Sequence, residues 1–235
     1  VLPLHSDYRL ARHQDEERVL NPSYRFQHDR VQQAAYNLIA TGELPRVHLT
    51  VGRLMLQHGG GQVADDQLID IVNHLNQGRA LIQSGSERLQ LAEFNLRAGS
   101  RARQTSAYQQ ALDYLQVAEE LLPDDAWSQM PSLMATLASE IQLCLYLTGR
   151  TEEADHWLEQ MLDHADSRLH RADILAIRTR QNATLGRMEA STHAAISALA
   201  LLGVNFNEHP SQHAIDLERQ RGLTTLAGRL ITHLD

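Results

Sequence analysis

The spacing of apolar residues along the chain changes near residue 28. Tyr24 and Phe26 alternate with Arg25 and Gln27, which is the period-two pattern of a half-buried strand. From Asp29 onward the apolar residues return at helical spacing, as Val31, Ala34, Ala35, Leu38 and Ile39. Because Asp29 can cap a helix and match the positive end of its dipole, we predict a strand that runs directly into a helix here.

The rest of the chain predicts helices separated by glycine, proline and serine. Gly59-Gly60-Gly61 and Pro123 are typical of the breaks, because neither residue type continues a helix easily. Upstream, Val1–Leu4 and Tyr24–Gln27 are long enough to pair as strands, with the charged stretch Arg9–Arg18 between them. The predicted helices span 29–40, 45–58, 65–83, 87–103, 106–122, 128–148, 151–165, 168–185, 188–202 and 212–234.

One internal pattern predicts that these helices repeat. In a tetratricopeptide (TPR) repeat of about 34 residues, small and large residues occupy fixed offsets along two helices. Gly99 is followed at the consensus offsets by Ala111, Leu115, Ala118 and Pro123, and weaker copies follow Gly149 and Gly186. The predicted fold class is therefore all-α, a TPR-like α-solenoid of antiparallel helix pairs. Generic antiparallel bundling is the alternative.

Composition narrows the classes of function. The hydrophobic content of 43% over 235 residues supports a real core, and the net charge of −8 gives no basic field for nucleic acid. No apolar run approaches the roughly 20 residues that span a bilayer. The single Cys144 indicates a reducing compartment. We expect a cytoplasmic protein that contacts neither nucleic acid nor membrane.

All 21 basic residues are arginine, and this argues against nucleotide chemistry within the chain. A phosphate-binding loop needs a lysine, and so does the third strand of a protein kinase. The His28-Asp29 doublet could belong to a metal-dependent hydrolase, with His48 and His74 as further ligands, but their spacing is not that of a known site. Pro210 lies between His209 and His213, so we do not expect their two rings to share one helical face. We expect no catalytic residue, no metal and no cofactor.

Four ordered blocks of sequence resemble a region of STAND-type, AAA-related ATPases from bacterial signalling proteins. The first runs from Phe26 through His28, Asp29, Arg30, Val31, Gln33, Ala34 and Ala35 to Tyr36, and the others are Ile71–Asn76, Leu91–Gly99 and Ala107–Leu112. The resemblance implies that residues 1–40 are the C-terminal part of a winged-helix-like segment and that residues 41–235 are the TPR-like domain. In the family this region joins the ATPase, often preceded by a serine/threonine kinase, to GAF and histidine-kinase output domains.

The function that the resemblance implies is regulatory rather than catalytic. The chain would couple a protein or small-molecule effector, bound on the solenoid, to the ATPase and output domains of the same polypeptide. Residues expected to dock between modules are Phe26, His28, Asp29, Arg30, Gln33 and Tyr36, and a ligand groove is expected at Arg97, Arg101 and Tyr108. A peptide-binding scaffold without ATPase coupling is the alternative, and a metal-dependent hydrolase a third class.

The last predicted helix carries an apolar stripe with a separate implication. Leu223, Leu226 and Leu230 recur at three- and four-residue spacing. We expect this helix to pack against its own solenoid or against a second copy of the chain, which would make a homodimer. Fraying of the helix is the alternative, because an isolated helix of this length is marginal in water.

Overall fold

A computed structural model describes residues 2–3, 24–25, 29–58, 67–206 and 210–231. The helices α1 to α11 span Asp29–Asn37, Leu44–His58, Leu68–Gln77, Gly85–Gln104, Tyr108–Leu121, Ala126–Gln129, Pro131–Leu147, Thr151–Asp163, Arg168–Thr184, Met188–Leu201 and Gln212–Ile231. Short 3-10 turns lie at Thr41–Glu43 and Arg79–Leu81. The predicted all-helical class is confirmed for the described part of the chain.

Strand pairing is short. Strand β1, Leu2–Pro3, pairs antiparallel with β2, Tyr24–Arg25, so that Leu2 lies opposite Arg25. The winged-helix assignment stays a prediction, as does the boundary at residue 40.

Three predicted helices are shorter or divided in the structure. The span 65–83 is α3 followed by a 3-10 turn, because Gly78 ends the helix and donates its backbone N–H to the carbonyls of Leu75 and Asn76. The span 128–148 is two helices, since Met130 leaves helical geometry and Pro131 begins α7. Helix α1 ends at Asn37, three residues before its predicted end.

The chain folds as two compact units, Val1–Phe94 and Asn95–Asp235, with the boundary inside α4. In the first unit, α2 packs on α3 around a core of Leu49, Leu68, Ile71, Val72 and Leu75. In the second unit successive helices pair: α5 with α7, α7 with α8, α8 with α9, and α9 with α10. This sequential pairing is compatible with a helical solenoid.

The turns inside the second unit repeat one backbone geometry. Ser106, Gly149 and Gly186 have positive φ values of 63°, 79° and 74°. The residue that follows each of them, with φ from −81° to −84° and ψ from 60° to 64°, precedes the next helix. Its amide donates back over the turn at 2.9 Å each time, in the pairs Ala107–Ala102, Arg150–Leu145 and Arg187–Asn182. The same helical hairpin is therefore built three times.

The predicted packing of α11 on its own solenoid is wrong for the part of that helix whose side chains are described. Every residue from Gln212 to Leu226 is exposed, including Leu223 and Leu226. The physical reason is that charged residues from Asp216 to Arg221 interrupt the apolar stripe over the first half of the helix. Self-association through this helix stays a prediction.

Candidate functional site

The predicted docking residues lie at the start of the first unit, and the structure describes only some of them. Phe26 and His28 fall outside the described residues, and Asp29 begins α1 as predicted. Arg30 and Gln33 are exposed, and the Gln33 amide donates to the Asn37 side chain at 3.0 Å. Their role in docking stays a prediction.

Tyr36, the last of these residues, belongs to a chain of three side chains. Its hydroxyl lies 3.1 Å from Nε2 of His48 on α2. The other nitrogen of that ring, Nδ1, lies 2.9 Å from Nδ1 of His74 on α3. The chain thus joins three helices of the first unit through two hydrogen bonds, one of them directly between imidazoles.

The histidine pair is placed by the close approach of α2 and α3. A Cβ on Gly52 would lie 2.6 Å from Cδ2 of Leu75, and a Cβ on Gly78 would lie 2.6 Å from Cβ of Leu49. Because side chains at these two positions would hold the helices apart, the glycines permit the imidazole contact nearby on the same two helices. His48 is buried and His74 is half-buried.

The sequence pointed to His48 and His74 only as candidate metal ligands. Among the residues that the structure describes, no group of three or more His, Cys, Asp or Glu side chains is placed to hold a metal ion. His28 and His209 lie outside those residues. The structure instead uses His48 and His74 as partners of each other, which their separation of 26 positions did not indicate.

The predicted ligand groove at Arg97, Arg101 and Tyr108 belongs to the second unit. Both arginines are exposed one turn apart on α4, and Tyr108 begins α5 with its hydroxyl donating to Ser106 at 3.4 Å. The neighbouring Arg103 forms an ion pair on α7, where its guanidinium donates to both carboxylate oxygens of Glu140, at 2.5 and 3.0 Å. A ligand at Arg97 and Arg101 stays a prediction.

A second concave site lies between α7 and α9, with Met161 of α8 also in its lining, and sequence reasoning missed it. It encloses about 390 Å³ and is lined by Leu143, Tyr146, Ile177 and Arg180. Gln142 and Gln181 also line it, and they exchange two buried hydrogen bonds of 2.8 and 3.3 Å with each other. The signal in the sequence was weak, because a glutamine on each of two helices becomes informative only once the helices are paired.

Cys144 lies near this region on α7 and is fully buried. Burial, and to a lesser extent the charge of Glu140, raises the pKa of its thiol to about 11. In this environment the thiol is expected to be inert.

Comparison with known proteins gives one informative similarity. No protein-family model matches the sequence, and no solved structure matches it. The chain is 26% identical over 233 residues to "Hybrid signal transduction histidine kinase G" of Dictyostelium discoideum. The alignment covers 89% of this chain and 7% of that protein. No helix in the described ranges is long and apolar enough to cross a membrane. The chain is therefore similar, over nearly all of its length, to a small segment of a much larger signalling protein.

Proposed function

We propose that this chain is a non-catalytic regulatory segment of a larger signal-transduction protein. The observation that carries the proposal is the alignment of 89% of the chain with only 7% of a hybrid histidine kinase. A segment of that size accounts for a connecting or sensing role better than for the kinase reaction. The absence of lysine from the sequence supports the same conclusion, because nucleotide-binding loops and kinase domains depend on one.

The mechanism we propose is coupling between the helical repeats and an adjacent ATPase module of the STAND type in a cytoplasmic parent protein. The repeated hairpins of the second unit supply a TPR-like surface for a protein or small-molecule effector. Helix α1 supplies exposed polar groups, Arg30 and Gln33, for docking to the neighbouring module. Effector binding would bias the ATPase and the output domains by favouring one packing of these parts.

The test uses the complete reading frame that contains these residues, beside the 235-residue chain alone. The complete protein should hydrolyse ATP and the isolated chain should not. Arg30→Glu, which reverses an exposed charge on α1, should change ATP turnover of the complete protein. Arg219→Glu on α11 is the matched control and should leave turnover unchanged. Failure of the complete protein to hydrolyse ATP, or equal turnover in wild type and Arg30→Glu, would contradict the coupling.

The groove between α7 and α9 favours a second candidate, a peptide-binding scaffold without ATPase coupling. Leu143 and Ile177 offer apolar contacts, and Arg180 places a cation at the rim. An extended peptide with a carboxylate near an apolar side chain fits this combination.

The scaffold is tested by selecting peptides that bind the 235-residue chain and measuring their affinity. Arg180→Glu should weaken binding of acidic peptides, while Arg171→Glu, an exposed arginine on the same helix, should not. If both variants bind equally, or if no peptide is selected, the groove is not a peptide site.

A further inference from the structure

The side chains of Tyr36, His48 and His74 form a hydrogen-bonded chain, and the number of protons that this chain can hold follows from its donors and acceptors. The Tyr36 hydroxyl lies 3.1 Å from His48 Nε2, and the two imidazoles meet through their Nδ1 atoms at 2.9 Å. Tyrosine is both donor and acceptor, and a neutral imidazole has one donor nitrogen and one acceptor nitrogen. With both rings neutral, two arrangements of the protons satisfy both hydrogen bonds.

One added proton is also accommodated. If His48 is charged, its Nδ1–H donates to His74 and its Nε2–H donates to the tyrosine oxygen. If His74 is charged instead, its Nδ1–H donates to His48, which still bonds Tyr36 through Nε2. The inter-ring bond survives in both cases because one Nδ1 remains an acceptor.

The second proton leaves no acceptor between the rings. With both imidazoles charged, each Nδ1 carries a proton, and the two N–H groups point at each other at hydrogen-bond distance. The two like charges also face each other, and one of them lies on the buried ring of His48. His48 is only 7% exposed, so water cannot easily replace the lost partner. The contact between α2 and α3 at this point therefore opposes double protonation.

Other charged groups around the pair do not remove this conflict. Burial, followed by the charge of His48, lowers the pKa of His74, and Asp70 on the same helix opposes the shift. On the two 3-10 turns packed against α2, Glu43 pairs with Arg46 and Arg79 donates to the Asn76 carbonyl. Arg53 of α2 donates to both oxygens of Glu87 on α4. Asp70 is the anion that acts on His74.

The sign of the pH effect follows from the direction of the His74 shift. A histidine whose pKa is lower in the folded state stabilises the fold fully above its unfolded value of about 6.5. That contribution begins to fall as the pH drops below this value, and it is gone below the folded pKa. The contribution of His74 to stability is therefore complete at neutral pH and decreases in acid.

We propose that Tyr36, His48 and His74 form a proton-sensitive clasp that holds α1 to α2 and α3 and opens when both imidazoles are charged. The clasp tolerates one proton and is broken by the second, so its opening is coupled to the uptake of one proton. The proposal does not depend on what α1 contacts elsewhere, and it stands whether or not the chain regulates an ATPase.

The experiment follows the protection of α1 amides against hydrogen exchange in the 235-residue chain from about pH 7.5 to about pH 5, where an ordinary imidazole becomes charged. At each pH, the exchange rate of these amides is compared with the rate expected for the unfolded chain at the same pH. In wild type it should fall about fivefold, the effect of losing one net hydrogen bond. In His74→Gln it should not fall, because the glutamine carbonyl accepts from His48 without titrating.

His58→Gln is the matched control, since His58 lies at the exposed end of α2 with its ring on the Leu54 carbonyl. This variant should behave as wild type. NMR titration of the wild-type rings needs no substitution and should show that the second proton binds more weakly than the first. Independent titration of His48 and His74, or the same loss of protection in His74→Gln as in wild type, would overturn the clasp.

Discussion

A Cβ on residue Gly99 would lie 2.7 Å from Cδ2 of Leu115 and 3.2 Å from the Ala111 carbonyl oxygen. Leu115 and Ala111 are fully buried, so neither can move aside easily. Gly99 and Ala111, which the repeat pattern placed at fixed offsets, therefore lie at the same helix contact. The glycine is needed for space, because α4 and α5 touch here.

Gly99→Ala should therefore destabilise the protein. Overpacking costs about 1–3 kcal/mol, so the net loss is up to about 2 kcal/mol after the gain of about 1 kcal/mol from better helix propensity. Chemical denaturation should show a lower free energy of unfolding. Gly222→Ala is the control, since a Cβ there meets no atom within 4 Å, and it should raise the helicity of α11 instead. Equal effects of the two substitutions would show that α4 and α5 are not closely packed.

Ser106 occupies the turn position that glycine fills in the other two hairpins. Its φ of 63° costs an L-residue about 1–2 kcal/mol, whereas glycine pays about 0.4–1 kcal/mol in the unfolded chain. Ser106→Gly should thus stabilise the protein by roughly 0.5–1 kcal/mol. Gly149→Ser should cost a similar amount, because its φ is 79° and open space surrounds it. Thermal unfolding of both variants measures the difference, and shifts of the same sign would contradict the shared geometry.

The buried amides of Gln142 and Gln181 satisfy each other, which makes them a test of pairing between α7 and α9. Gln142→Leu should cost about 1–3 kcal/mol, because it leaves the Gln181 amide buried without its partner. The double variant, with leucine at both positions, should recover most of that loss. A double-mutant cycle by urea denaturation checks this, and additive losses would mean that the amides do not depend on each other.

The thiol of Cys144 should be unreactive in the folded protein. Its pKa of about 11 leaves very little thiolate at neutral pH, and the side chain is fully buried. A thiol reagent such as DTNB at about pH 8, near the pKa of a free thiol, should react only at the rate at which the protein opens. Addition of denaturant should make the reaction fast. Rapid reaction of the folded chain would show that α7 is not packed as described.

Helix boundaries were predictable because the residues that end helices act locally. Gly149 and Gly186 take positive φ where the sequence predicted breaks, whereas the start of α7 at Pro131, inside the predicted helix 128–148, was missed. The contact between His48 and His74 was not predictable in this way. It depends on how α2 crosses α3, and that crossing is set by Gly52 and Gly78, whose meaning in the sequence alone was ambiguous.

The groove between α7 and α9 shows the same limit. Gln142 and Arg180 lie on different helices, and nothing local marks either of them as part of a site. By contrast, nothing in the sequence distinguished Arg101 from Arg103, yet the structure leaves Arg101 exposed and partly buries Arg103 against Glu140. Local patterns therefore predicted the elements, and the pairing of elements decided which polar side chains meet.

Helix α11 is expected to mediate self-association. Leu223 and Leu226 are 59% and 60% exposed, and they stand on one side of a 20-residue helix. An isolated helix of this length is marginal in water, so burial of this stripe against the same stripe of a second chain would stabilise it through a two-fold contact. Changing both leucines to glutamate should shift the chain from dimer to monomer in analytical ultracentrifugation. Leu169→Glu, at a comparably exposed leucine on α9, should leave the dimer intact. A wild-type chain that sediments as a monomer at every concentration, or a dimer that survives the double substitution, would contradict this role for α11.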